Sequence, residues 1–283
     1  MNLVKNVYEL SERFMKDSKH VFLIEAGIEN MAKRMIENGK PQYNRSNDKI
    51  TYKDIVFELV ASSVNYCYWY SQHDIRPNGS SSSSMYNILA DSFQEYINDE
   101  MSFERVIKRF GANLSKERFP LIEERIRHLN QLVENGENFA KAIYLDHNSI
   151  DIPLMEMVLS FPGFASDIFL KRASLFFLQL FRRFGWYESD LHSLHVPADY
   201  QIPRVLEYYD CIVYEDELDD AIHESIIIVK NSRPECEIRA ATILVVKKLC
   251  ELTKWNVSEV DTYLFMKRDD IEKPFHLTIT TDY

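Results

Sequence analysis

One carboxylate stands where a folded chain can hold it rigidly: Asp199, in the stretch PADYQIPRVLEYYD at residues 197–210. Pro203 is typical of the first turn of a helix, because the N–H that proline lacks has no helical partner there. Asp199 then lies about two residues before the usual capping position, where free N–H groups stabilise an ionised carboxylate and fix its direction. In a partly dry pocket such a group can stabilise an oxocarbenium-like transition state or orient an attacking water. The residues alone favour a simple turn or cap.

A second group with chemical potential is the aromatic stretch VNYCYWY at residues 64–70. It places Asn65, Tyr66, Cys67 and Trp69 near the end of a predicted helix. Flat aromatic rings stack on heterocycles, and an amide offers a donor and an acceptor to the edge of a base. An aromatic core segment is the alternative interpretation, and composition alone favours it.

Several charged or titratable residues lie in otherwise apolar surroundings. Lys171 lies inside the apolar helix that contains FLKRAS, and His276 lies in the predicted terminal strand that contains KPFHL. In PECEIRAA, Glu235 and Arg239 are four residues apart and can pair on a helix. Glu237 would then point in another direction, which includes the interior.

Several familiar site signatures are absent from the sequence. It has no Walker or Rossmann glycine pattern, no GxSxG nucleophile motif and no HExxH zinc motif. The four cysteines (67, 211, 236 and 250) form no CxxC pair and no zinc spacing, which is typical of reduced, buried thiols. We therefore predict neither a metal site nor a cofactor.

The charge balance argues against a long nucleic-acid interface. The 283 residues include 33 basic and 44 acidic side chains, which gives a net charge of −11. A protein that grips a nucleic-acid backbone needs a cationic face to displace counterions. The sequence also has no signal-peptide core and no long apolar stretch that predicts a membrane helix. We expect a cytoplasmic protein that binds a small molecule and makes no membrane contact.

Helical periodicity dominates the elements that must position these residues. Seven glycines are too few for a turn-rich all-β protein, and 46% hydrophobic residues can fill a core. Extended structure is predicted only for HVFLI (20–24) and FHLTITTDY (275–283), and RPNGSSSSS (76–84) predicts a surface loop. We predict a mainly α protein, a single helical globule over residues 1–283 with minor extended segments. The predicted helices cover 3–16, 24–37, 52–70, 85–98, 102–110, 120–136, 166–184, 216–230 and 234–254, with two more that start at Pro153 and Pro203.

Seven blocks in this order resemble one known family: SKHVFL, VNYCYWY, PLIEERIRHLN, FLKRASLFF, PADYQIPRVL, ECEIRAA and PFH. The sequence resembles the queuosine salvage family, the queuosine 5'-phosphate N-glycosylases/hydrolases, from residue 18 to residue 276. The resemblance implies a mainly helical fold with a core similar to that of helix-hairpin-helix DNA glycosylases. It also implies metal-free hydrolysis of the bond between the modified base queuine and ribose 5'-phosphate, which frees queuine for reinsertion into tRNA.

The resemblance also implies roles for individual residues. Asp199 would be the catalytic carboxylate, which stabilises cationic character at the ribose and orients or deprotonates water. The remaining residues would bind the substrate. The walls around the deazapurine would be Tyr66, Trp69 and Tyr200, with Cys67 in the same block. The hydrogen-bonding edge, diol or amine of queuine would meet Asn65 and Glu237. The 5'-phosphate would meet Lys171, Arg239, His276 and Arg204.

Some features of the sequence leave alternatives open. Gln201 stands where the resemblance leads us to expect arginine, so the substrate can be the nucleoside, its 5'-phosphate or its 3'-phosphate. A non-catalytic helical protein that binds queuine or a nucleotide is the alternative function. A glycosylase that acts on a polynucleotide is disfavoured by the charge of −11.

Overall fold

The computed structural model describes residues 3–45, 49–69 and 81–283, with side chains from residue 6 onward. Within these ranges the chain consists of α-helices, short 3-10 helices and a two-stranded antiparallel sheet. The prediction of a mainly α protein is confirmed. Part of the predicted loop, residues 76–80, lies outside the described residues, as does Tyr70 at the end of a predicted helix.

The secondary structure alternates helices with short connections. The helices are α1 (Leu3–Lys16), α2 (Glu25–Asn38), α3 (Tyr52–Ser63), α4 (Ser82–Ile97), α5 (Phe103–Lys116), α6 (Ile122–Leu145), α7 (Ile152–Leu159), α8 (Pro162–Ala165), α9 (Lys171–Phe184), α10 (Gln201–Tyr208), α11 (Asp216–His223), α12 (Arg233–Thr253) and α13 (Val257–Lys267). The strands are β1 (Val21–Leu23) and β2 (Ile212–Tyr214), and 3-10 helices cover Glu188–Ser193 and Arg268–Asp270.

Two helices, α12 and α3, organise the core. Helix α12 packs against α1, α2, α10 and α13, whereas α3 packs against α4, α6 and α9. All residues of helix α9 from Lys171 to Leu178 are buried. Burial on all sides explains how this helix can carry a lysine into dry surroundings.

The small sheet confirms one of the two predicted extended segments. Val21 pairs with Tyr214 and Leu23 pairs with Ile212, in antiparallel register. The C-terminal tail differs from the prediction, because it contributes only an isolated parallel bridge between Ile227 and Leu277.

Helix α3 ends at Ser63, so the prediction of a helix to residue 70 is wrong. The physical cause is Arg125 of α6, a fully buried side chain. Its guanidinium donates hydrogen bonds to the backbone oxygens of Val64, Tyr66 and Cys67, which a continued helix would use internally. The stretch that contains Asn65 is therefore a buried, non-helical segment clamped by one arginine.

Several other helix boundaries differ from the predictions. Helix α5 continues to Lys116 and does not end at residue 110, and α9 begins at Lys171 and not at residue 166. Helix α6 continues through Gly136 to Leu145; the glycine is a packing position, since a Cβ there would lie 3.3 Å from the ring of Phe103. Helix α11 ends at His223 and not at residue 230, because the chain turns through Ser225 at a φ of 58°. The serine run starts α4 at Ser82.

The serine run forms a helix start because its side chains cap the backbone. The hydroxyl of Ser81 accepts a hydrogen bond from the N–H of Ser84 (3.1 Å), and the hydroxyl of Ser84 accepts one from the N–H of Ser81 (2.9 Å). This reciprocal arrangement is a capping box, in which serine takes the place of the usual glutamate. Similarity of the core to helix-hairpin-helix DNA glycosylases, and organisation of residues 1–283 as one domain, stay predictions.

Candidate active site

A cavity of about 190 Å³ lies where α4, α9, α10 and α13 meet. Its polar lining combines carboxylates, cations, amides and hydroxyls. The described residues that line it are Asn65, Tyr68, Ser81, Ser82, Ser83, Tyr86, Lys171, Leu175, Gln179, Arg182, Pro197, Asp199, Tyr200, Gln201, Ile202, Asp261, Phe265, Arg268 and Asp269. Four residues predicted from the sequence, Asn65, Lys171, Asp199 and Tyr200, are brought together here.

Asp199 is fixed by the first backbone N–H groups of α10. Its Oδ1 accepts hydrogen bonds from the N–H of Gln201 (2.7 Å) and from the N–H of Ile202 (3.4 Å). The helix begins at Gln201, two positions before the predicted start at Pro203, which brings Asp199 within reach of these donors. No residue that the structure describes donates a hydrogen bond to Oδ2. One carboxylate oxygen is thus anchored, and the other is free to meet a ligand.

Lys171 is the first residue of α9 and is only 2% exposed. Its Nζ donates hydrogen bonds to both the backbone oxygen and the Oδ1 of Asn65, each at 2.9 Å. Burial lowers the pKa of Lys171 from 10.5 to about 8, although the nearby charge of Asp199 acts in the opposite direction. An ammonium with such a pKa can donate a proton near neutral pH.

A buried ion pair connects the backbone of Lys171 with that of Ala198, the residue before Asp199. Arg239 of α12 donates to both carboxylate oxygens of Asp167, at 2.8 and 2.7 Å. Asp167 also accepts the backbone N–H of Lys171 at 2.8 Å, and Nε of Arg239 donates to the backbone oxygen of Ala198 at 3.1 Å. Burial opposes the charge on Asp167, yet the guanidinium of Arg239 holds the pKa of that carboxyl below its ordinary value. The pair therefore supports the backbone at two charged residues of the cavity, Lys171 and Asp199.

A second ion pair forms another part of the cavity wall. Arg182 of α9 donates to Asp261 of α13, with Nη2 and Oδ2 2.5 Å apart. Burial raises the pKa of Asp261; Arg182 opposes the shift, and the charge of Asp199 adds to it. The ring of Tyr200, the residue just before α10, packs against Phe275 with centroids 4.7 Å apart. The cavity therefore offers an aromatic face beside several charges.

Three aromatic-block residues predicted to bind the substrate do not line this cavity. Tyr66, Cys67 and Trp69 are each 1% exposed and belong to the core. The ring of Tyr66 lies under the guanidinium of Arg125, 4.4 Å from its carbon, and its hydroxyl meets Nδ1 of His128 at 3.2 Å. Their packing matches the alternative interpretation of this stretch as an aromatic core segment.

Glu237 and His276 also lie outside the cavity. Glu237 accepts the backbone N–H groups of Lys19 (3.1 Å) and His20 (2.8 Å) ahead of β1. His276 is 2% exposed, its Nε2 lies 3.2 Å from the hydroxyl of Tyr283, and burial lowers its pKa to about 3. A neutral buried imidazole has no charge to offer a phosphate.

The two arginines predicted to meet the phosphate have backbone partners elsewhere. Arg239 makes the ion pair described above, and its guanidinium also lies 4.4 Å from the ring centre of Tyr283. Arg204 donates to the backbone oxygens of Lys273 and Arg268. Neither arginine lines the cavity.

Sequence reasoning missed several residues of the cavity wall. On α9, Lys171, Leu175, Gln179 and Arg182 line the cavity at spacings of four, four and three residues. Such spacing places side chains on one helix face, so the sequence itself indicates that these residues lie on the same face as Lys171. Asp261 had no comparable local signal.

The described part of the chain shows neither a metal-ligand cluster nor a membrane-spanning helix. No group of three histidine, cysteine, aspartate or glutamate side chains there is arranged to hold a metal ion. Among the same residues, no helix is long and apolar enough to cross a membrane.

Comparison with known proteins gives a consistent family. The family model described as queuosine salvage protein matches residues 43–280. A queuosine 5'-phosphate N-glycosylase/hydrolase from Dictyostelium discoideum is 27% identical over 271 residues, which covers 84% of this chain and 81% of the relative. Proteins with the same name match over shorter stretches. One from Mus musculus is 27% identical over 45% of this chain and 43% of the relative. One from Schizosaccharomyces pombe is 23% identical over 55% of this chain and 50% of the relative. The chain belongs to the queuosine salvage protein family.

Proposed function

We propose that this protein hydrolyses the N-glycosidic bond of queuosine 5'-phosphate and releases queuine for salvage into tRNA. The names of the relatives support the substrate and the reaction class. The observation that carries the proposal is Asp199, a carboxylate anchored through one oxygen at the start of α10 and open to the cavity through the other.

Asp199 has the properties that this hydrolysis needs. Cleavage of an N-glycosidic bond builds positive charge on the anomeric carbon of the ribose, and a fixed carboxylate stabilises that charge. In the proposed step, water attacks this carbon as the bond to the base breaks, and Asp199 accepts a proton from the water. Because Oδ1 is held by two N–H groups, the carboxylate needs no reorganisation when the charge appears.

We assign Lys171 to the departing base. The electron pair of the broken bond stays on the base, which needs a proton to leave as neutral queuine. The ammonium of Lys171, with a pKa of about 8, can supply that proton near neutral pH. The proton that Asp199 accepted from water then restores the ammonium, so the net reaction consumes one water.

The other cavity walls suit the remaining parts of the substrate. The ring of Tyr200 supported by Phe275 offers a flat face to the deazapurine. Arg182 and Arg268 are cations that line the cavity and are the candidates for the phosphate. Asp261 and Asp269 are carboxylates on the same wall and can meet the cationic amine of queuine.

A direct assay tests both the reaction and the form of the substrate. Purified protein is incubated with queuosine, its 5'-phosphate or its 3'-phosphate, and queuine release is followed by chromatography. We expect the 5'-phosphate to be cleaved with the highest kcat/KM. Binding of the 5'-phosphate without any queuine release would instead support the non-catalytic binding protein.

A further inference from the structure

We infer that Gln201 binds the substrate directly, through a hydrogen bond from an N–H or O–H group of the ligand to its amide oxygen. Gln201 lines the cavity and is only 5% exposed. No residue within the described ranges gives its buried Oε1 a hydrogen bond. The identity of the ligand rests on the proposed function, whereas the unpaired amide is a property of this chain.

An unpaired buried amide is costly, so its presence calls for a partner. Side-chain amides that leave water almost always form hydrogen bonds, because the lost hydration is otherwise uncompensated. The backbone N–H of Gln201 donates a hydrogen bond to Oδ1 of Asp199 at 2.7 Å. This contact starts the side chain of Gln201 beside the proposed catalytic carboxylate. A ligand in the cavity is the available partner.

The unpaired atom is an acceptor, which limits the chemistry of the ligand group. A phosphate dianion has no N–H or O–H to donate and is therefore excluded as the partner of Oε1. The N–H and O–H groups of queuine and the hydroxyl groups of the ribose can each donate to an amide oxygen. These two sources share the same chemistry, and separate binding measurements on the two products distinguish them.

The cavity contains a matched control for this inference. Gln179 of α9 also lines the cavity, but its Nε2 donates to the hydroxyl of Tyr86 at 3.1 Å. Replacing Gln179 by methionine removes an existing hydrogen bond. Replacing Gln201 by methionine removes no hydrogen bond of the free protein. It takes away the unpaired amide, and the methionine side chain has nearly the same length as the glutamine side chain.

The experiment measures stability and binding of the two variants, Gln201→Met and Gln179→Met. Without ligand, we expect Gln201→Met to melt about 2 °C or more above the wild type and Gln179→Met to melt below it. By calorimetry, we expect Gln201→Met to bind either queuine or ribose 5-phosphate about 10-fold more weakly than the wild type. Weaker binding of queuine identifies the base as the partner; weaker binding of ribose 5-phosphate identifies the sugar.

Two results with the Gln201→Met variant would overturn the inference, and one result with the wild type would do so as well. One is a Gln201→Met protein that binds both products with wild-type affinity, and the other is one that melts as far below the wild type as Gln179→Met does. A wild-type protein that binds neither product also overturns it. These measurements need no turnover, so a wild type that binds queuine but cleaves nothing contradicts only the proposed hydrolysis.

Discussion

Replacing Asp167 by asparagine keeps the shape of the side chain but breaks the ion pair that supports the cavity. The carboxylate accepts four hydrogen bonds: two from Arg239, one from the N–H of Phe169 and one from the N–H of Lys171. Asparagine has one oxygen, so its amide group would face two of these donors. Removing one partner of a buried ion pair typically costs about 3–5 kcal/mol. We expect the lower end of that range, because Glu235 remains 3.6 Å from Arg239.

The same change should lower the rate through the positions of the two charged residues. Asp167 holds the backbone of Lys171, and its partner Arg239 holds the backbone next to Asp199. A displacement of about 1 Å in a catalytic group can reduce the rate about 100-fold. We therefore expect kcat of Asp167→Asn to fall by about 10- to 100-fold, with a much smaller change in KM.

The assay combines urea unfolding, followed by tryptophan fluorescence, with steady-state kinetics at 25 °C. Lys53→Met serves as the control, because Lys53 is a buried cation that binds the backbone oxygen of Tyr96 (2.7 Å) outside the cavity. It should lose stability and retain kcat. The reasoning is refuted if Asp167→Asn unfolds within about 1 kcal/mol of the wild type, or if both variants lose kcat equally.

Three further predictions follow from burial and close packing. If Lys171 acts as the proton donor, kcat of the wild type falls above about pH 8. The Lys171→Arg variant should lack that decline, because its guanidinium stays charged. A pH profile of kcat from pH 6 to 10 checks both expectations. Burial lowers the pKa of His195 from 6.5 to about 4 and that of His276 to about 3, so these two imidazoles bind about two more protons in the unfolded chain near pH 5. Their contribution to stability decreases as the pH falls below 6.5, by up to about 2.7 kcal/mol per pH unit. The partly buried His128, whose pKa burial lowers to about 4, acts in the same direction, and urea titrations measure the sum. Gly27→Ala should destabilise the protein by about 1–3 kcal/mol or more, because a Cβ there would lie 1.8 Å from a backbone oxygen. Gly111→Ala, where the nearest atom to a Cβ is 3.6 Å away, should stabilise α5 by up to about 1 kcal/mol. Thermal melts compare the two variants.

Local patterns in the sequence predicted the position of Asp199 well. A proline near the start of an apolar helix, with an aspartate ahead of it, is a pattern that depends only on neighbouring residues. The helix starts at Gln201, two residues before the predicted Pro203, and this earlier start brings the carboxylate into direct contact with two N–H groups. The mainly α fold was predictable for the same reason, since helical periodicity is local.

Other parts of the site depend on contacts between distant residues and left no local pattern. Asp167 and Arg239 are 72 positions apart, so spacing suggested a pair between Glu235 and Arg239 in place of the main partner. The aromatic block VNYCYWY, in contrast, carries a clear local pattern that fits two interpretations. Its composition suits either a core or a binding wall, and only the clamp formed by Arg125 from another helix decided for the core.

The most direct test of the central claim compares two aspartates that cap helices. Asp199 accepts N–H groups of α10 in the cavity, and Asp151 accepts the N–H of Leu154 (2.8 Å) at the start of α7, outside it. Single-turnover cleavage of queuosine 5'-phosphate is measured for Asp199→Asn and Asp151→Asn. The account predicts a loss of at least about 100-fold for Asp199→Asn and a rate near that of the wild type for Asp151→Asn. An Asp199→Asn protein that cleaves at the full wild-type rate would contradict it.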